Sequence, residues 1–170
     1  MLTLLGLPFS KVYGLPAHPL LVHAAVVLVP LAALALIAVG WNEAWRRVYY
    51  LPIALLAVGG AGAAFLAKES GETLATAYVK QGSHLHDHTE NGDMAFISAA
   101  LLALACGGVY AYHAFGEQVR ERFGLADRFR LPVNENAALY AVSIPVAALA
   151  IALMIIAGHS GAALVWKYDR

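Results

Sequence analysis

Four apolar segments without charged residues constrain the fold of this chain more than any other feature. They run from about Pro19 to Gly40, Tyr49 to Ala67, Met94 to Phe115 and Ala137 to Gly158. Each is close to the ~20 residues that an α-helix needs to cross about 30 Å of hydrocarbon. Only 13% of the 170 residues are charged, against about 25% in soluble domains. The sequence therefore predicts an all-α fold, a four-helix transmembrane bundle that forms one membrane domain over residues 1–170.

Two segments outside these spans have a character of their own. Met1 to Gly14 is rich in Leu and Phe and lacks the basic start and cleavage site of a signal peptide, so it predicts a short amphipathic segment at the interface. Gly116 to Asn136 mixes basic and acidic residues, and it predicts a charged interfacial helix between spans three and four. Inside the first and fourth spans, Pro30 and Pro145 predict kinks.

The connections between the spans predict how the chain is inserted. An even number of crossings puts both termini and the middle connection, residues 68–93, on one side. The other two connections carry six of the eleven Lys and Arg residues. The positive-inside rule then predicts a multi-pass protein of the cytoplasmic (inner) membrane, with both termini extracytoplasmic. The formal net charge is zero, so nothing indicates nucleic acid as a partner. The four apolar spans make the lipid bilayer the expected partner.

This topology brings six of the seven histidines to one membrane face. They are His18, His23, His84, His86, His88 and His159. Imidazole at the mouth of an apolar bundle is a common means of holding haem iron or a transition metal. The seventh, His113, is interpreted as an interfacial side chain near the far end of span three.

The six histidines fall in three short motifs. His18 and His23 open the first span, and His23 lies about one turn inside the apolar segment, where imidazole needs a hydrogen bond, a metal or a polar cavity. His159 lies between Gly158 and Gly161, and these glycines predict that the fourth helix ends here.

The third motif is the run from His84 to Asp93 in the middle connection. If the run is helical, His84 and His88 share a face, and His86 shares one with Glu90. Asp93, like Asn91, is a suitable N-cap for the third helix.

Together these motifs resemble a family of bacterial membrane proteins filed as domain of unknown function 2231. The resemblance rests on His18-Pro19-x-x-Val22-His23, on His88-Thr89-Glu90-x-Gly92-Asp93 and on Gly158-His159-x-Gly161 with Leu164-Val165. It covers about Gly14 to Trp166 and implies a four-helix integral membrane protein. Many members have a proline soon after the second histidine, whereas here the next proline is Pro30.

Three functions are compatible with the histidine cluster. In the first, His23 and His88 ligate haem b for electron transfer. In the second, the cluster binds a transition metal ion, Zn, Cu or Fe. The candidate metal ligands are His18, His23, His84, His88, Glu90, Asp93 and His159. In the third, the protein is a non-catalytic accessory or structural subunit of a larger membrane complex. Redox or other membrane-complex subunits are possible partners, and no catalytic motif supports an enzyme.

Overall fold

The fold is a bundle of four long helices, seen in a computed structural model that describes residues 11–40, 42–75, 82–123 and 135–168. The helices are α1 (Ala17–Gly40), α2 (Glu43–Ala75), α3 (Gly82–Phe123) and α4 (Glu135–Ala163), and a π-helical turn, Leu164–Tyr168, extends α4. All four are long and apolar enough to cross a membrane. The predicted all-α four-helix bundle is confirmed.

The helices extend beyond the apolar segments that predicted them. The junction of α1 and α2 shows why, because Asn42 caps the start of α2 with a 3.0 Å bond from the Ala44 amide to its side-chain oxygen. Arg46, expected in a loop, is helical and donates from Nε to the Gly40 carbonyl at 3.0 Å. Hydropathy detects the part of a helix that lies in lipid, but it does not detect capped ends like these.

The middle connection also differs from the prediction, since most of it is helical. At the end of α2, Lys68 and Glu72 form an ion pair one turn apart, with Nζ and Oε1 2.5 Å apart. The run from His84 to Asp93 belongs to α3, so Asp93 lies inside this helix and does not cap it. In this run His86 and Glu90 lie 3.2 Å apart, as the helical reading predicts.

Two more predicted features are altered by these boundaries. The first part of the expected interfacial helix, up to Phe123, continues α3, while residues 124–134 of that prediction lie outside the described residues. Gly158 and Gly161 do not end α4, which continues to Ala163. Pro30 and Pro145 lie inside their helices, as expected.

The N-terminal segment is described from residue 11 onward. Lys11–Val12 (β1) and Leu15–Pro16 (β2) form a short antiparallel hairpin. Tyr13 and Gly14 make its turn with φ values of 50° and 82°, the left-handed conformation that two-residue hairpin turns require. The hairpin leads directly into α1. Residues 1–10, the rest of the expected amphipathic segment, lie outside the described part of the chain.

The helices form a ring in which α1 packs against α2 and α4, and α3 packs against the same two helices. Small side chains line the interior, and they let the backbones approach closely. Gly60 shows the effect, because a Cβ there would lie 2.9 Å from Val29 Cγ2 on α1. Ala64, one turn further along α2, is buried as well. The preceding residue, Gly59, is exposed, with open space around it.

Candidate functional site: a histidine pair at one end of the bundle

His18 lies in the first turn of α1, and its ring reaches across to α2. Its Nδ1 lies 2.8 Å from the carbonyl oxygen of Ala67. A carbonyl oxygen can only accept, so Nδ1 carries the hydrogen and donates it. In the neutral ring Nε2 is then unprotonated and keeps a free lone pair. The same carbonyl accepts a second hydrogen bond, from Ser70 Oγ at 2.9 Å.

His88, on α3, is held in the same way by α4. Its Nδ1 lies 2.9 Å from Ser160 Oγ. The Ser160 hydroxyl donates its hydrogen to the Ala157 carbonyl at 3.0 Å, so its oxygen offers only lone pairs to His88. His88 therefore donates from Nδ1, and in the neutral ring its Nε2 also keeps a free lone pair.

A glycine on the neighbouring helix leaves space for each imidazole ring. A Cβ at Gly71 on α2 would lie 2.9 Å from Cε1 of His18. A Cβ at Gly161 on α4 would also lie 2.9 Å from Cε1 of His88. Carbon atoms in contact are normally about 3.5–4.0 Å apart, so any larger residue at either position would displace the ring.

The two imidazoles meet at the end of the bundle. Their centroids lie 6.4 Å apart, and their planes cross at 84°. Both rings line a cleft of about 520 Å³ between the ends of the four helices, and a narrower cavity of about 70 Å³ continues inward from them. The cleft walls are mostly apolar and include Leu164, Val165 and Trp166 of the π-helical turn. This volume is in the range of small-molecule and cofactor sites.

Lys68 brings a positive charge to the same cleft. Besides its ion pair with Glu72, its Nζ lies 3.5 Å from Asp93 Oδ1 and 3.9 Å from Glu69 Oε1. Among these carboxylates, Glu72 and Asp93 also line the cleft. The wall beside the histidine pair thus carries both signs of charge, with the carboxylates in excess.

The other predicted site residues are placed differently. His23 lines the cleft but is exposed, and its Nδ1 bonds back to the Pro19 carbonyl of its own helix at 2.6 Å. His84 and His159 are exposed. Glu90 is two-thirds exposed and faces His86. The histidine that contacts the His88 ring is therefore His18.

Among the described residues, no group of three or more His, Cys, Asp or Glu side chains is arranged to hold a metal ion. The seven predicted ligands do not form such a group in the described residues, and their role in metal binding stays a prediction. Sequence reasoning missed the second layer of the site, namely Ala67, Ser70 and Gly71 on α2 and Ser160 on α4. A signal was available, because the pattern Ala-x-x-Ser-Gly occurs at residues 67–71 and again at 157–161.

The apolar spans form the four-helix bundle, and the histidine pair lies at one of its ends. A family model described as "Predicted membrane protein (DUF2231)" matches residues 14–169. The chain belongs to the DUF2231 family. This confirms the resemblance found in the sequence, and the match includes the histidine pair and every residue of its cleft. No curated protein and no solved structure matches the chain.

Proposed function

We propose that this DUF2231 protein binds one b-type haem between His18 and His88 and transfers electrons. The distance between the rings carries the proposal. Iron–nitrogen bonds of about 2.0 Å on the two sides of a porphyrin, with the half-width of each ring, put axial imidazole centroids ~6.3 Å apart. The observed separation is 6.4 Å.

The hydrogen bonds of the two rings support the same assignment. A histidine that ligates metal commonly donates its other ring N–H to a carbonyl, carboxylate or hydroxyl, which fixes the tautomer and raises the basicity of the ligand. His18 and His88 both have this arrangement, with Nδ1 bonded to protein and Nε2 free.

The number of ligands favours haem over a bare metal ion. A structural or catalytic zinc site takes three or four protein ligands, and the histidine pair offers two. A porphyrin supplies four nitrogens itself, so iron in haem needs only two axial ligands from the protein. The apolar cleft walls suit a flat hydrophobic macrocycle.

Axial ligation by both histidines would leave the iron no open position for oxygen or a substrate, which favours electron transfer over catalysis. The pair lies at one end of helices that cross about 30 Å of lipid, so the haem would exchange electrons with a partner at that same face. Arg46 and Arg47 lie at the opposite end, which by the positive-inside rule supports an extracytoplasmic cleft in the inner membrane as part of this proposal.

The test is to express the protein with haem supplied, purify it in mild detergent, and measure its absorption spectrum and metal content. We expect one haem per chain with a low-spin spectrum. His18→Ala and His88→Ala are expected to lose haem or become high-spin. His159→Ala is the matched control, because it removes an exposed histidine from the same end of the bundle.

Three outcomes would overturn the haem proposal. Folded wild-type protein without a Soret band would favour an accessory subunit, above all if it copurified with a larger complex. A bound metal without haem would favour a metal-ion site. An unchanged spectrum in His18→Ala would exclude His18 as a ligand.

A further inference from the structure

The two halves of the chain repeat each other along their buried faces. His88 follows His18 by 70 positions, and the same shift relates the buried face of α1 to that of α3. At five positions a residue buried in α1 has a buried counterpart in α3: Ala25 and Ala95, Val29 and Ala99, Ala32 and Leu102, Leu36 and Cys106, and Val39 and Val109. The two helices therefore turn equivalent faces to the core.

The second helices of the two halves correspond with a shift of 90 positions. Identical residues recur at six positions: Tyr50 and Tyr140, Ala57 and Ala147, Ala67 and Ala157, Ser70 and Ser160, Gly71 and Gly161, and Leu74 and Leu164. The longer shift in this pair of helices reflects both the greater length of α3 beyond its histidine and the longer stretch of chain before α4.

Local geometry at the site repeats with the sequence. Ser70 Oγ donates to the Ala67 carbonyl at 2.9 Å, and Ser160 Oγ donates to the Ala157 carbonyl at 3.0 Å. Gly71 and Gly161 each leave room for a histidine ring, and each would bring a Cβ to 2.9 Å from the Cε1 atom of that ring. Two separate interactions thus recur in both halves.

The equivalent residues also meet each other across the bundle. α1 and α3 lie on one diagonal of the ring, and His18 faces His88 at one end. α2 and α4 lie on the other diagonal, and the hydroxyls of Tyr50 and Tyr140 lie 3.2 Å apart, near the start of each helix and so at the opposite end. A pseudo-two-fold axis that runs along the bundle between these two pairs explains both contacts.

We infer that the chain is an internally duplicated helical hairpin and that its cleft holds the haem iron on the pseudo-two-fold axis. This rests on the proposed haem function. His18 and His88 are then equivalent axial ligands, and Gly71 and Gly161 are equivalent positioning residues. Because the line between the histidines crosses the axis, His18 and His88 would hold the haem from the α1 and α3 sides, and the cleft walls of α2 and α4 would flank it.

The crossing angle of the two rings would also determine the electronic character of the iron. Imidazole planes that cross at 84° interact with different iron d orbitals, which leaves those orbitals close in energy. Ferric haem in this site is expected to give a strongly anisotropic low-spin electron paramagnetic resonance spectrum with one dominant low-field feature. Parallel rings would give three well-resolved g values.

The test compares matched variants of the full-length protein. Gly71→Ala and Gly161→Ala are each expected to weaken haem binding at least about tenfold, as loss of ligand support does, and to agree within about threefold. Both should also lower the unfolding midpoint of the haem-free protein by similar amounts. Gly62→Ala on α2 is the control, because open space surrounds this glycine.

The outcomes test the internal duplication and the haem proposal separately. Equal losses in the two glycine variants, with the anisotropic spectrum, support the duplicated site. Haem bound to wild-type protein but disturbed by only one glycine variant overturns the two-fold inference and leaves the haem proposal standing. Wild-type protein that binds no haem overturns the proposed function and the axial ligation with it. In that case, unequal midpoints of the glycine variants would also refute the duplicated architecture.

Discussion

Replacing Gly40 with alanine should destabilise the bundle at the end opposite the histidine pair. Gly40 ends α1, and a Cβ there would overlap the hydroxyl end of the Tyr140 ring on α4. Because carbon atoms in contact lie at least about 3.5 Å apart, the ring must move by more than about 1 Å. The Tyr140 hydroxyl would then leave Tyr50, which now lies 3.2 Å away.

The magnitude follows from these two effects. Overpacking in a well-packed interior costs about 1–3 kcal/mol, and loss of one hydrogen bond costs about 1 kcal/mol. We expect Gly40→Ala to lower the free energy of unfolding by about 3 kcal/mol. The measurement is reversible unfolding in mixed detergent micelles, with Gly59→Ala as a control because no neighbouring atom lies within 4 Å of a Cβ built there.

A double-mutant cycle tests the cause of this loss. Tyr140→Ala removes the ring that the new methyl group meets, so Gly40→Ala should cost little in that background. An equal cost in the two backgrounds would refute the steric argument. The loss would then come from the α1 terminus itself, where the Gly40 carbonyl accepts from Arg46.

Three further predictions concern single side chains. Gly60→Ala should lower the free energy of unfolding by about 1–3 kcal/mol, measured in the same micelles, because its Cβ would meet Val29 at 2.9 Å; an unchanged value would show that α1 and α2 can separate without cost. Tyr50→Phe should cost about 1 kcal/mol by the same assay, since it removes the hydroxyl that pairs with Tyr140, and a neutral result would mean that the pair adds nothing. His159→Ala should leave the absorption spectrum and stability unchanged, because this side chain is exposed; a lost Soret band would make it a ligand.

Hydropathy and topology predict much of this fold. Four uncharged spans suffice to predict the four helices, and the direction of each helix then places His18, His88 and His159 at one end. The helix ends were beyond this reasoning, because they depend on local contacts such as the Asn42 cap and the Lys68–Glu72 pair. Such contacts extend a helix past the residues that lipid alone would select.

The pairing of the histidines depends on how each helix is rotated about its own axis, and the hydropathy pattern does not reveal this rotation. His23 is the predicted haem ligand because it lies deeper in an apolar run. On an α-helix, however, five residues correspond to a rotation that directs His23 well away from His18. The structure directs His18 toward the bundle axis and leaves His23 exposed. Comparison of the two halves of the chain would have found the pair, since His18 aligns with His88 as part of a repeated buried face.

Two equivalent side chains that meet at a two-fold axis can bond directly only if the side chain both donates and accepts a hydrogen bond. The two ends of the bundle differ in this respect. A tyrosine hydroxyl both donates and accepts, so Tyr50 and Tyr140 satisfy each other directly. Neutral His18 and His88 cannot do so, because each has committed its N–H to a neighbouring helix and retains only an Nε2 lone pair. An electron-pair acceptor between them, such as the iron of the proposed haem, would satisfy both lone pairs. A proton shared by the two nitrogens would need the rings closer together than the observed centroid distance of 6.4 Å, whereas axial ligation of the proposed haem would need about this distance.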